Sequence, residues 1–170
     1  VWVAGNVGYM TDESKLYTFD LSSKTGSRGQ LGSVNLAGDG KKVVVSGTYA
    51  YVATTNSSTQ LQIIDVSNPA AMTVVGQAGL AGGSGATDVF VNSSATRAYV
   101  TAGKLYIVDI SAKTGVRPTL GSYSTNGMNP KGVMGVSGNK IIVVGTGGEE
   151  YQVVNVAVES SPSRCGGLNV

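Results

Sequence analysis

Apolar and polar residues alternate along most of the chain in short runs, such as "KKVVVSG" (41–47), "TDVFVNS" (87–93) and "RAYVTAG" (97–103). A two-residue period is that of a half-buried β-strand, whose successive side chains point to opposite faces. No stretch of useful length carries apolar residues at the 3.6-residue spacing of an amphipathic helix, so the chain is expected to be all-β. The runs come in fours. In the second group they are "KVVV" (42–45), "AYVAT" (50–54), "LQIIDV" (61–66) and "TVVGQA" (73–78). The first two strands of each group are joined through Gly5, Gly47, Ser93 or Gly138. Glycine is expected in a hairpin that needs a residue tolerant of positive φ.

The groups are copies of one unit. A polar residue closes the third strand at Asp20, Asp65, Asp109 and Asn155, at intervals of 45, 44 and 46 residues. A glycine in the fourth strand keeps the same pace at Gly32, Gly76, Gly121 and Gly166, separated by 44, 45 and 45 residues. A third marker falls in the second strand at Tyr9, Tyr51, Tyr99 and Ile142. Four antiparallel strands repeated every 40 to 45 residues form the pattern of a propeller blade. The chain is therefore expected to be a β-propeller array of four tandem blades, approximately 1–40, 41–85, 86–128 and 129–170. A blade has two apolar faces and must stack on its neighbours. An open arc would expose apolar faces at its first and last blades. Closure into four blades, an oligomer, or further blades would each cover them.

The recurring acid follows from this architecture. After the third strand the chain must stop pairing and cross to the outermost strand. Asp20, Asp65, Asp109 and Asn155 can each accept a hydrogen bond from the backbone two residues on, which makes them turn residues. The turns then differ: Asn68-Pro69 holds one backbone extended, while "SSKTG" (22–26) and "SAKTG" (111–115) supply longer glycine-containing turns. One acid copied onto separate blades is not the arrangement that catalysis needs.

The segments "VVVSGTYAYVATT…LQIIDVSNPAAMTVVG" (43–76) and "VFVNSSATRAYVTAGKLYIVDIS" (89–111) resemble the LVIVD-repeat family of bacterial and archaeal surface β-propellers. The first copy departs in "FDLSSKTG", and the fourth in Asn155 and Ala157, which replace the acid and the serine. The resemblance implies a propeller fold, an extracellular or cell-surface location, and display or binding without a common activity. Similar repeats occur in pilin-like proteins, whose hydrophobic N-terminal helix would precede such a segment. The chain opens at Val1 in strand-like "VWV" without a starting methionine, so an upstream segment is expected.

Composition narrows the chemistry. Charged residues make up 13% of the 170, about half the usual share of roughly 25%, and glycine supplies 25 residues. The net charge of +2 comes from twelve scattered bases and ten acids. No basic stripe with stacking aromatics is present, so nucleic acid is not an expected partner. The apolar runs are far shorter than the roughly 20 residues of a membrane-spanning helix, and no signal-peptide pattern is seen.

Histidine is absent, which removes the usual general base and the commonest transition-metal ligand. No catalytic residue, metal or cofactor is expected, and the chain is read as a non-enzyme. Cys165 occupies the place of Leu31, Val75 and Leu120 in the other copies and is expected to be a small buried hydrophobe. The "KTG" triplets at Lys24 and Lys113 are read as turns, and "AGDGKK" (37–42) lacks the spacing of a phosphate loop. The acid pairs Asp12-Glu13 and Glu149-Glu150 fall in corresponding loops and are read as solvated charge. Asn56 and Asn92 head N-x-S sequons, which permit glycosylation.

Lys42, Asp88 and Val133 align just before the first strands, near the propeller axis. A base and an acid at that level form either an ion pair closing the axis or a weak entrance for a small polar ligand. The functional expectation is an extracellular adhesion or interaction module whose partner is a protein or cell-surface glycan. The alternatives are the exposed domain of a pilin-like filament subunit, with self-association, and a sugar, ion or enzyme site at the axis.

Overall fold

The computed structural model describes residues 1–23 and 25–169. Its strands form four sheets, and no helix occurs among the described residues. Lys24, the first of the two "KTG" lysines, lies outside the described residues. Blade I contains β1 (Trp2–Ala4), β2 (Val7–Asp12), β3 (Lys15–Asp20) and β4 (Gln30–Asn35). Blade II contains β5 (Gly40–Ser46), β6 (Tyr49–Thr54), β7 (Leu61–Asp65) and β8 (Thr73–Ala78). Blade III is built from β9 (Asp88–Val91), β10 (Arg97–Thr101), β11 (Leu105–Asp109) and β13 (Thr119–Tyr123). Blade IV is built from β14 (Asn129–Val136), β15 (Lys140–Thr146), β16 (Tyr151–Asn155) and β17 (Ser163–Leu168). Within each blade, sequential strands pair antiparallel.

The short strand β12 (Gly115–Val116) belongs to the blade III turn but pairs parallel with β8 at the edge of blade II. It caps an edge that would otherwise present unpaired backbone groups.

A bulge recurs at the same place in every blade. The pairing of third and fourth strands shifts between Thr18 and Phe19, Ile63 and Ile64, Ile107 and Val108, and Val153 and Val154. The extra residues are Leu31, Val75, Leu120 and Cys165, each just before the repeat glycine. A bulge adds local twist to the outer strand. In this chain it also lets the next blade's turn approach the glycine. A Cβ built on Gly32, Gly76 or Gly121 would stand less than 3.0 Å from the carbonyl oxygen of Pro69, Lys113 or Glu159, respectively. No side chain fits there.

Cys165 corrects a sequence expectation: it is exposed, not buried. It is the bulged residue of the outermost strand of blade IV. At the same position Val75 and Leu120 are partly buried against the cores shared with blades III and IV. Leu31 is exposed at 39% although blade II follows it, so the bulged residue is covered in only two of the four blades.

Three apolar cores lie between consecutive blades. Tyr9, Leu16, Val43, Val52 and Ile64 fill the junction of blades I and II. Tyr51, Leu61, Ile63, Val100, Tyr106 and Val108 fill that of II and III. Tyr99, Leu105, Ile107, Ile141, Val143 and Val154 fill that of III and IV. Each fully buried aliphatic side chain contributes about 1.5–3 kcal/mol by leaving water. No fourth core of this kind joins blade IV to blade I among the described residues. The outer faces instead expose Val3 on blade I and Met134 on blade IV, both at 61%, together with Val1, Val144 and Leu168. The four blades form an arc with two apolar ends, not a closed four-bladed ring.

Candidate functional site

The repeated acids are turn residues in all four blades. The Oδ1 atoms of Asp20, Asp65, Asp109 and Asn155 accept the backbone N–H of Ser22, Ser67, Ser111 and Ala157 at 2.8, 2.9, 2.9 and 3.0 Å. Hydrogen bonds from Ser22, Ser67 and Ser111 hold the three carboxyls below their usual range. A second bond fixes each turn to the first hairpin of its blade: Leu21, Val66, Ile110 and Val156 donate to the carbonyls of Asn6, Thr48, Thr96 and Asn139 at 2.7 to 2.9 Å. These four residues are one on each sheet and do not converge on any cavity.

Lys42 and Asp88 do come together. Lys42 Nζ lies 4.0 Å from Asp88 Oδ1, with side chains 41% and 16% exposed. Asp88 Oδ1 also accepts the N–H of Val89, and Oδ2 accepts the N–H of Val133, each at 2.9 Å. One carboxylate therefore ties three blades at the level of the axis. Gly132, Met134, Ile142 and Val144 complete a shallow cavity of ≈ 290 Å³ beside the pair. Both carboxylate oxygens are engaged by the protein itself, and the remaining wall is apolar.

A larger cleft of ≈ 410 Å³ opens on the opposite rim between blades III and IV. Its floor contains Phe90, Tyr99, Ile141 and Val156, and its walls carry Asn92, Ser93, Ser137, Asn139 and Lys140. The rings of Phe90 and Tyr99 are 6.1 Å apart and tilted by 31°. The floor is fixed by the backbone of Gly135, where a Cβ would overlap the Phe90 ring. The walls are the two hairpin turns β9–β10 and β14–β15, with Asn139 and Gly138 held at positive φ. Sequence reading passed over this cleft because its residues come from two repeats and meet only after the blades stack.

The remaining candidates are structural in their contacts. Lys113, in the second "KTG", donates to the carbonyls of Ala95 and Ile110 and lies 5.8 Å above the Tyr51 ring. Burial lowers its ammonium and pushes the Tyr51 hydroxyl up to about 12. Asn56 Oδ1 accepts the N–H groups of Ser58 and Thr59 while Nδ2 donates to Ala37. Asn92 likewise accepts from Thr96 and Arg97 and donates to Thr96 Oγ1. Both sequon amides thus hold turns. Glu149 takes a bidentate bond from Arg164 at 2.5 and 2.8 Å, which pairs one of the loop acids. An ion pair not read from the sequence joins blades III and IV: Arg97 Nε donates to Glu159 Oε1 at 2.6 Å.

Among the described residues, no group of three or more metal-ligating side chains is present, and no helix is long and apolar enough to cross a membrane.

Solved structures share this architecture. A protein from Lactobacillus plantarum matches with a TM-score of 0.79 at 16% identity, over 96% of this chain and 56% of that one. The β-propeller domain of Cps50 from Myceliophteria thermophila matches with a TM-score of 0.65 at 12% identity, over 95% and 55%. A Bacteroides uniformis protein carrying the name 6-phosphogluconolactonase matches with a TM-score of 0.74 at 14% identity, over 92% and 50%. The chain spans about half the length of these structures, and at such identities the likeness shows the fold alone. A search of curated proteins found no match. The LVIVD repeat family matches residues 37–78 and 88–125, which contain the strands of blades II and III: these two blades carry LVIVD repeats, and the chain folds as a β-propeller.

Proposed function

We propose that this propeller is a non-catalytic adhesion module working outside the cell, and that the cleft between blades III and IV takes a neutral, hydroxyl-rich ligand such as a cell-surface glycan. The observation that carries the reading is the cleft's chemistry: an apolar floor with two aromatic rings, walled by amides, hydroxyls and one ammonium. A sugar presents an apolar face of C–H groups and an equatorial ring of hydroxyls, and this pairing of surfaces suits it. Low overall charge and a hydroxyl-rich exterior favour the same reading over charge-driven partners.

Titration with a panel of neutral oligosaccharides tests it. Binding that weakens at least tenfold in Phe90→Ala and Ser137→Ala, with an unchanged thermal midpoint in Ser137→Ala, is expected. Binding unaffected by either change would remove the cleft from the function.

The second reading is a ligand site at the axis, favoured by the Lys42–Asp88 pair. It predicts thermal stabilisation by an ion or sugar that is lost in Asp88→Ala. The filament alternative requires a hydrophobic N-terminal helix in the full-length gene product. Turnover of any substrate by the isolated chain, a possibility raised by the lactonase-named structural relative, would overturn the non-enzymatic reading.

A further inference from the structure

The geometry points to the acetamido group of an N-acetylated amino sugar as the part of the ligand that the cleft between blades III and IV reads, an assignment that rests on the glycan reading of that cleft and narrows it.

The junction of blades II and III supplies the precedent, because there the chain occupies the corresponding place itself. Lys113, from the turn of blade III, sets its Nζ 5.8 Å above the Tyr51 ring of blade II. The same ammonium donates to the carbonyls of Ala95 and Ile110. Val44, Tyr51, Val91, Ala98 and Ile110 are all buried at this junction.

The same groups recur one junction on. Val156 donates to the carbonyl of Asn139 as Ile110 donates to that of Thr96, so Val156 and Gly138 hold the places of Ile110 and Ala95. Ala95 and Gly138 share a left-handed backbone, at φ 51° and 73°. Tyr99 holds the place of Tyr51, paired with Ile107 where Tyr51 is paired with Ile63. Tyr99, Gly138 and Val156 all line the open cleft. Glu159 stands where Lys113 does, since the carbonyl of each lies against the repeat glycine of the preceding blade, Gly121 and Gly76. Its side chain, however, runs to Arg97 at 2.6 Å, and the cleft stays open. Two carbonyls that hold an N–H group over a tyrosine ring in one junction therefore face a ligand in the next.

Lys140 selects the kind of N–H group. Its Nζ reaches the Gly138 carbonyl at 3.3 Å, so a second ammonium there would meet like charge, whereas a neutral amide N–H would not. An acetamido group brings an amide N–H for the carbonyls and an amide oxygen that accepts from Lys140. Its methyl group suits the apolar floor of Phe90 and Ile141. A plain hydroxyl donates to a carbonyl but has neither of the other two parts. The sugar ring that carries the group keeps its C–H face for the aromatic floor.

Three β-1,4-linked trisaccharides that differ only at C2 test the assignment: triacetylchitotriose, cellotriose and the trimer of glucosamine. Each is titrated calorimetrically at a pH that protonates the free amines. The acetylated trimer is expected to bind about tenfold tighter than cellotriose, the worth of one charge-assisted hydrogen bond, and tighter than the glucosamine trimer. In Lys140→Met the acetylated trimer should lose that advantage, and the glucosamine trimer should gain affinity because the like charge is gone. An unchanged order of affinities in Lys140→Met overturns the role of Lys140. Cellotriose that binds as tightly as the acetylated trimer overturns the acetamido assignment and leaves the glycan reading standing. A glucosamine trimer that binds tightest to the wild type overturns it in favour of an ammonium placed like that of Lys113. Binding by none of the three overturns it as well, and the wider panel of neutral oligosaccharides then decides the glycan reading separately.

Discussion

The Asp88 carboxylate of blade III accepts the backbone N–H of Val133 in blade IV at 2.9 Å, while Lys42 of blade II stands 4.0 Å from its other oxygen. The backbone bond is shorter and less exposed than the ion pair.

The two halves of this tie should therefore separate on mutation. Asp88→Ala removes the acceptor of Val133 and is expected to cost about 1–3 kcal/mol of stability. Lys42→Ala removes an ion pair whose lysine is 41% exposed, and should cost less than about 1 kcal/mol. Urea unfolding of both variants checks the order. Equal losses would mean that the ion pair, not the backbone bond, holds the axis.

Gly121 and Gly166 share a repeat position but not an environment. Gly121→Ala would drive a Cβ into the backbone of Glu159 and Ser160, an overpacking expected to cost about 3 kcal/mol. In the single chain, Gly166→Ala meets open space and should change stability by less than about 0.5 kcal/mol. Thermal melts of the two variants at low concentration make the comparison.

The Asx turns make stability depend on acid. Asp20, Asp65 and Asp109 have carboxyls lowered by hydrogen bonds from Ser22, Ser67 and Ser111. Unfolded aspartate titrates near about 3.9, so the unfolded chain takes up protons first as pH falls. The stabilisation is fully present above that value and is lost as pH drops through the lower folded-state values. The urea midpoint of the wild type should fall between pH 6 and pH 3, and fall less when all three aspartates are replaced by asparagine. Asn155 shows that an amide serves the same turn without titrating.

Arg97 and Glu159 should be energetically coupled. Their side chains are partly buried and bonded at 2.6 Å across the junction of blades III and IV. The hydrogen bond to Glu159 is also the main cause of the raised Arg97 guanidinium. A double-mutant cycle of Arg97→Met and Glu159→Gln should yield about 1 kcal/mol, smaller in high salt. No coupling would place the junction's strength in its apolar core alone.

Much of the architecture was legible because a repeat writes its punctuation several times. The spacing of Asp20, Asp65 and Asp109 led to the turns, and the structure shows the backbone bond at each. The alignment of Lys42 with Asp88 brought together two residues 46 positions apart, since a repeat period converts sequence distance into position around an axis. Cys165 misled for a related reason. Of its counterparts Val75 and Leu120 are partly buried and Leu31 is exposed, and sequence equivalence carries no record of how closely the neighbouring blade packs on each copy. The cleft of Phe90 and Tyr99 was invisible because half of its wall comes from the next repeat. Arg97 and Glu159 were also missed, because neither is repeated in the other copies.

The sequence by itself determined the strands, the repeat, the blade and its turns, because alternation, glycine placement and side-chain capping act within about a dozen residues. Only the tertiary structure decided which blade faces are covered, which carboxylate oxygen meets which backbone N–H, and where two hairpins form a cleft. Those depend on how successive sheets stack and twist, and stacking joins atoms whose separation along the chain exceeds the reach of any local pattern.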